Sequence, residues 1–415
     1  MIADQVAGLR AYIAVTAAYW AFMLTDGTLR MLVLLHFHLL GFSPVQLAYL
    51  FILYEVAGII TNLCAGWIAA RYGLSQTLFS GLGLQVLALL ALTLVSESWT
   101  LVLSVVFVMC AQGASGVAKD LTKMSSKSAV KLLAPSKAGG LFRWVAILTG
   151  SKNAVKGLGF FLGASTLGLI GFSGTLWIMA GLLFLIFIAL YVWMPTGLPR
   201  GTKDAKFWDV LSQNHQINWL SLARIFLFGA RDVWFVVGIP IYFYAVLSDG
   251  SNWGTRLAFF QIGAFMAIWI MLYGAVQAAA PRIMGSQYPA VKSLGLIFSL
   301  AIVPAALAWA VATWTPNPIL TVALMVGLLM FGVLFALASS LHSYLILAYS
   351  RADRVTMDVG FYYMANAAGR LIGTLLSGVS YQVGGLTLCL TAASVFLIIS
   401  GLSMIPLQRA ERHQA

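Results

Sequence analysis

The chain has 415 residues, of which 61% are hydrophobic and only 9% are charged. A soluble domain of that length cannot hide so much apolar surface, so lipid is the solvent for most of it. The net charge of +12 does not indicate nucleic acid, because the basic residues alternate with apolar runs instead of forming one patch.

In chain order, runs of about 20 or more apolar residues, long enough to cross a bilayer, place twelve spans. They fall at about 11–40, 44–70, 74–95, 99–122, 142–169, 173–194, 217–247, 256–280, 292–313, 318–348, 359–382 and 385–405. The stretch before Asp4 and Arg10 is too short an apolar run for a signal peptide. Between spans, one side collects Arg10, Arg71, Lys127, Lys131, Lys137, Arg200, Lys203, Lys206, Arg282, Lys292, Arg351, Arg354, Arg409 and Arg412. The other side carries only Arg256, with Glu97 and Asp249. The positive-inside rule therefore predicts cytoplasmic N- and C-termini. Residues 195–215 form the longest polar stretch, so the expected organisation is a six-helix half at 1–194, a cytoplasmic linker at 195–215 and a second half at 216–415.

The halves echo each other. NAVKGLG at 153–159 in span five parallels NAAGRLIG at 366–373 in span eleven, and AARYG at 69–73 parallels APRIMG at 280–285. FMLTDGTLR at 22–30 aligns with FLFGARD at 226–232. These matches pair spans 1/7, 2/8 and 5/11, as a duplication of six helices requires, and a site near the midplane is expected between the repeats.

Charges at membrane depth cost roughly 2.5–3.5 kcal/mol each on insertion scales and persist where they face a cavity or a partner. Spans 3, 6, 9 and 12 carry none at depth. Asp26 and Arg30 lie in span one, Glu55 in span two, Lys152 and Lys156 in span five, Arg224, Arg231 and Asp232 in span seven, and Arg370 in span eleven. The basic groups outnumber the acids, so the cavity is expected to be net positive and to suit an anion. Arg30 and Arg231 sit at equivalent depth in the two halves, suited to a clamp, because guanidinium forks bind oxyanions bidentately.

Structural readings stand beside these. Asp26 and Arg30 are four apart on one helical face and can neutralise each other. Arg231 and Asp232 point about 100° apart, so Asp232 is expected to serve a neighbouring helix. Lys152 and Lys156 share a face, and one of them can pair with Glu55. Arg224, being shallower, suits a cytoplasmic gate. Lys119, Lys123, Lys127 and Lys131 make a stripe that meets either headgroups or incoming anions. His36 and His38 are isolated near the outer end of span one and read as structural, although they titrate near neutrality. Glu55 is the more plausible proton carrier, with Asp26 beside it. Asn62, Asn153, Asn366 and Gln277 read as interhelical glue. Cys64, Cys110 and Cys389 read as packing residues, and no spacing suggests a disulfide, a metal site or a cofactor.

Several stretches carry a family likeness. GWIAARYG at 66–73 resembles the major-facilitator loop motif between the second and third helices, with Ala70 where that family usually has Asp. Arg71 would then act in gating, with Asp358, placed to cap span eleven, as a partial substitute for the missing acid. DGTLRMLVLLHFH at 26–38, GVAKDLTKMSSK at 116–127, LTGSKNAVKG at 148–157 and FLFGARDVW at 226–234 resemble the ArsJ family of organoarsenical efflux permeases. The likeness implies an all-α major-facilitator fold of two pseudo-symmetric six-helix bundles in the bacterial inner membrane. It also implies export of 1-arseno-3-phosphoglycerate, conferring arsenate resistance. The functional partner implied is a glyceraldehyde-3-phosphate dehydrogenase, which makes that ester when arsenate replaces phosphate.

The residues themselves indicate only a positive cavity. An organophosphate or sugar-phosphate/phosphate exchanger would use the same cavity. A membrane-embedded sensor is disfavoured, because no polar domain is present to pass on a signal. An enzyme is not expected, since no Ser/His/Asp constellation, metal cluster or Gly-rich phosphate loop occurs.

Overall fold

A computed structural model describes residues 2–96, 98–133, 140–193, 214–285, 289–350 and 355–414, with side chains undescribed at 2–12, 65–67, 69–74, 127–133, 140–150, 355–356 and 413–414. Its helices are α1 (Ile2–Leu39), α2 (Pro44–Tyr49), α3 (Ile52–Leu92), α4 (Leu101–Leu133), α5 (Gly140–Trp193) and α6 (His215–Phe235). The chain continues with α7 (Gly238–Leu247), α8 (Asn252–Met284), α9 (Pro289–Thr313), α10 (Pro318–Tyr349) and α11 (Val355–Gln414). Lipid offers no hydrogen-bond partner, so the backbone must satisfy itself within each helix.

These helices carry the twelve predicted spans. α5 and α11 each hold two, and they fold where the spacing predicts. Gly171 has φ 76° and Gly385 has φ 61°, a region that glycine enters without a Cβ penalty. Spans two and three both lie in α3, preceded by α2. Span seven is broken into α6 and α7, and there the Val237 and Gly238 amides donate to Ser377 Oγ at 3.1 and 3.2 Å. Polar caps start the exposed ends: Ser43 and Gln46 form a capping box on α2, and Asn317 accepts from the Leu320 amide at 2.8 Å.

The helices pack as two six-helix bundles around a central cavity. The repeat is visible in the packing. In the first half, a Cβ on Gly163 of α5 would sit 2.3 Å from the Thr28 carbonyl oxygen of α1. In the second, a Cβ on Gly369 of α11 would sit 2.2 Å from the Ile225 carbonyl oxygen of α6. Spans five and eleven thus approach spans one and seven in the same way, backbone to backbone. The halves meet where α5 packs on α8 and where α11 packs on α2 and α3. Large apolar side chains such as Leu185 and Val192 on the second arm of α5, Ile302 and Trp309 on α9, and Leu402 on the second arm of α11 face outward, where lipid would cover them. The linker at 195–215 falls almost wholly outside the described residues, as do the side chains of Arg71, Lys127 and Lys131 and all of Lys137.

Candidate functional site

One cavity of about 260 Å³ lies between the halves. Its walls come from α1, α3, α4 and α5 on one side and from α6, α8, α10 and α11 on the other. In terms of spans these are one, two, four, five, seven, eight, ten and eleven; the second arms of α3, α5 and α11 and the whole of α9 contribute nothing.

Every residue expected to bind substrate reaches this cavity: Arg30, Lys119, Lys123, Lys152, Lys156, Arg231 and Arg370. Arg224, expected from the sequence at a cytoplasmic gate, lines this cavity as well. Two carboxylates, Asp120 and Asp232, complete the charged lining, and Asp26 and Glu55 are buried directly behind it. Among the described residues, eight cations against four carboxylates leave a formal surplus of four positive charges.

The pairing differs from the sequence expectation at three points. Asp26 does not neutralise Arg30. Instead it accepts from Lys156 Nζ at 2.7 Å and from the Tyr54 hydroxyl at 2.5 Å. Arg30 turns to Glu55, at 3.4 Å, and the Arg370 guanidinium grips the second oxygen of the same carboxylate through Nε at 2.9 Å and through its terminal nitrogen. The acid of span two is therefore a bridge between halves, and neither Lys152 nor Lys156 is paired with it among the contacts described. Asp232 serves its neighbour Arg231 after all, at 2.5–2.6 Å. The 100° between successive Cβ directions is outweighed by the length of the arginine side chain, which folds back along the helix.

Two features escaped the sequence. Asp120, wholly buried on α4, accepts from Thr61 at 2.6 Å and from Lys123 at 3.3 Å, while Lys123 also donates to Asn62 at 2.8 Å. Its signal was present, an acid three residues before a lysine on one helical face. The second is an aromatic floor linking the halves. Phe160 of α5 meets Phe235 of α6 at 6.0 Å, Phe235 meets Trp269 of α8 at 4.9 Å, and Trp269 stacks on Tyr273 at 5.7 Å. Nothing distinguished those rings from the other aromatics of an apolar chain.

The polar amides bind the wall together. Asn153 donates to Gln277 at 3.4 Å across α5 and α8, and Asn366 accepts from Arg224 Nε at 3.1 Å. Beyond the floor the ends of the halves touch: His38 packs edge-on to Tyr244, and the Val45 amide donates to Gln382 at 3.3 Å. His36 stacks on Phe172 at 4.0 Å. The cysteines are free thiols, set apart from one another in the chain. Asp358 lies buried in the first turn of α11, where a carboxylate faces the positive end of the helix dipole.

A chain of two six-helix bundles enclosing a charged central cavity is a transporter scaffold. The family profile of the Major Facilitator Superfamily matches residues 11–346, and the chain belongs to that family. It is a multi-pass membrane transporter of the major-facilitator type. Among solved structures, it is similar to a POT family transporter in complex with a thioalcohol-conjugated peptide, at TM-score 0.72 and 12% identity over 97% of this chain and 96% of that one. It is also similar to a structure described as giving insight into substrate recognition in proton-dependent oligopeptide transporters, at TM-score 0.69 and 10% identity, covering 98% of both chains. At that identity the likeness concerns the fold alone. No curated protein matches by sequence.

Proposed function

We propose that this transporter exports a small organic anion carrying two oxyanion groups, 1-arseno-3-phosphoglycerate, across the bacterial inner membrane. The supporting observation is the charge of the cavity: among the described residues, eight cations line it and four carboxylates lie at or behind its surface. A buried surplus of that size is costly when empty and is relieved by an anion. The size of the cavity agrees, since about 260 Å³ is below the roughly 300–1,000 Å³ of drug-sized pockets and suits a three-carbon ester. Arsenic itself comes only from the resemblance to the organoarsenical permeases.

In this reading the cavity is exposed alternately to each side, and substrate charge neutralises the facing walls and lets the halves close. The N- and C-termini are cytoplasmic, and the two bundles rock about the linker. Protonation of Asp26 or Glu55 during return of the empty carrier supplies the coupling, and Arg71, Arg224 and Asp358 act at the cytoplasmic gate. An organic anion leaving a cell is also driven by the inside-negative potential, by about 2.3 kcal/mol per charge per 100 mV.

The test is genetic and chemical together. An arsenate-sensitive bacterial strain expressing this chain with a glyceraldehyde-3-phosphate dehydrogenase is expected to grow in arsenate and to release arsenate into the medium. Either gene alone is expected to fail. Equal protection without the dehydrogenase would contradict the ester as cargo, and strict counterflow with inorganic phosphate would favour the organophosphate exchanger.

A further inference from the structure

Seven of the eight cations of the cavity, all but Lys152, fall into two classes by what holds them. Arg30 and Arg370 share Glu55, Lys156 holds Asp26, Lys123 holds Asp120, and Arg231 holds Asp232. Lys119 and Arg224 are different: among the described residues neither forms an ion pair. Lys119 on α4 is 7% exposed, and its ammonium lies 4.0 Å from the centroid of the Tyr54 ring. Arg224 on α6 is 4% exposed; it donates to Asn366 Oδ1 at 3.1 Å and to the Ser339 carbonyl and hydroxyl at 3.1 and 3.2 Å, and it stacks 4.0 Å from the centroid of Phe228.

Aromatic faces and neutral oxygens orient a cation without cancelling its charge. A buried charge left in that condition is costly until an anion arrives. We propose that Lys119 and Arg224 are the two seats for the anionic groups of the cargo, one in each half, and that Arg30 and Arg231 are positioning residues instead of the clamp. This rests on the anion-transport reading above and specifies which charges serve it. The seats flank the bridge between halves. Lys119 lies over Tyr54, the neighbour of Glu55, while Asn366 beneath Arg224 is one helical turn from Arg370. An anion spanning both seats therefore lies across the Arg370–Glu55 contact and competes with Glu55 for Arg370. Phosphate or carboxylate groups suit both seats, and the guanidinium of Arg224 favours the more extended oxyanion because it presents several donors in one plane.

Isothermal titration of the purified full chain with 3-phosphoglycerate, and with inorganic phosphate for comparison, tests the assignment. Lys119→Gln and Arg224→Gln are each expected to weaken 3-phosphoglycerate binding at least tenfold. Arg224→Lys should recover part of that loss, and Arg231→Gln, which leaves both seats in place, should weaken binding less than either seat variant. If Arg224→Gln does not purify as a monodisperse species, Arg224→Lys and Lys119→Gln carry the comparison. Unchanged binding in the Lys119 and Arg224 variants, with loss in Arg30→Gln and Arg231→Gln, would overturn the assignment while leaving the anion reading intact. Absence of any binding by the wild-type chain would instead overturn the anion reading, and this assignment with it.

Discussion

Glu55 offers the sharpest energetic test, because one wholly buried carboxylate joins two halves of the molecule. It is 0% exposed and touches Arg30 of its own half and Arg370 of the other. Replacing it with alanine leaves two guanidiniums facing each other without an anion. Removing one partner of a buried pair typically costs about 3–5 kcal/mol. Arg30 and Arg370 keep 13% and 19% exposure toward the cavity, so partial hydration puts the expected loss near the lower end, about 3 kcal/mol. Glu55→Gln keeps an acceptor but loses the charge. Charge-assisted hydrogen bonds contribute about 1.5–3 kcal/mol against about 1 for neutral ones, so a loss of about 1.5 kcal/mol is expected. Reversible unfolding in mixed micelles, run as a double-mutant cycle with Arg370→Gln, measures both. The bridge predicts a coupling of at least about 1 kcal/mol between the two positions. Additive effects, or a Glu55→Ala protein within about 0.5 kcal/mol of wild type, would refute it.

Other outcomes follow from the same geometry. Gly369→Ala puts a Cβ 2.2 Å from the Ile225 backbone oxygen, so α11 must shift; a loss of about 1–3 kcal/mol is expected, with weaker anion binding because Arg370 moves too. Unfolding midpoints and titration check it. Gly171→Ala forces alanine to φ 76° and ψ −177°, at a cost of about 1–3 kcal/mol in the same unfolding assay. In the loop between α7 and α8, hydrogen bonds from the Ser251 hydroxyl and amide hold the Asp249 carboxyl below the usual aspartate range. A depressed carboxylate stabilises above its unfolded pKa and loses that contribution as pH falls through the folded one. Exchange of the Ser251 amide is therefore expected to be slow at neutral pH and to lose protection, after correction for intrinsic rates, once pH falls below that of an ordinary aspartate, about 4.

How far the sequence reached depended on the kind of interaction. Span number and the two breaks between spans five and six and between eleven and twelve were readable because each rests on composition along a line; that Gly171 and Gly385 make the turns came only from the backbone. Charges at depth, rare enough to mark a wall, pointed to spans one, two, five, seven and eleven, whereas spans eight and ten reach the cavity through uncharged side chains such as Gln277 and Ser343 and carried no such mark. Pairing was not. Asp26 meets Lys156, and Glu55 meets Arg370 315 positions away; such partners are chosen by how helices lie side by side. Arg231 and Asp232 misled for the opposite reason, because a long flexible side chain ignores the direction of its own Cβ. The floor of Phe160, Phe235 and Trp269 was hidden among 53 aromatic residues of an apolar chain, where ring identity carries little positional information.

Uptake into everted membrane vesicles tests the central claim of an anion-carrying cavity most directly. Vesicles containing the full chain are supplied with ester formed in situ by dehydrogenase from labelled arsenate and glyceraldehyde-3-phosphate, with NAD+ as the oxidant that accepts the aldehyde's hydride. Accumulation above vesicles lacking the chain is predicted, with collapse of the pH gradient abolishing it and the Lys119→Gln/Arg224→Gln double variant reducing it to background. Uptake no greater than in vesicles lacking the chain, while neutral or cationic solutes are carried instead, would contradict the assignment of an anion to this cavity.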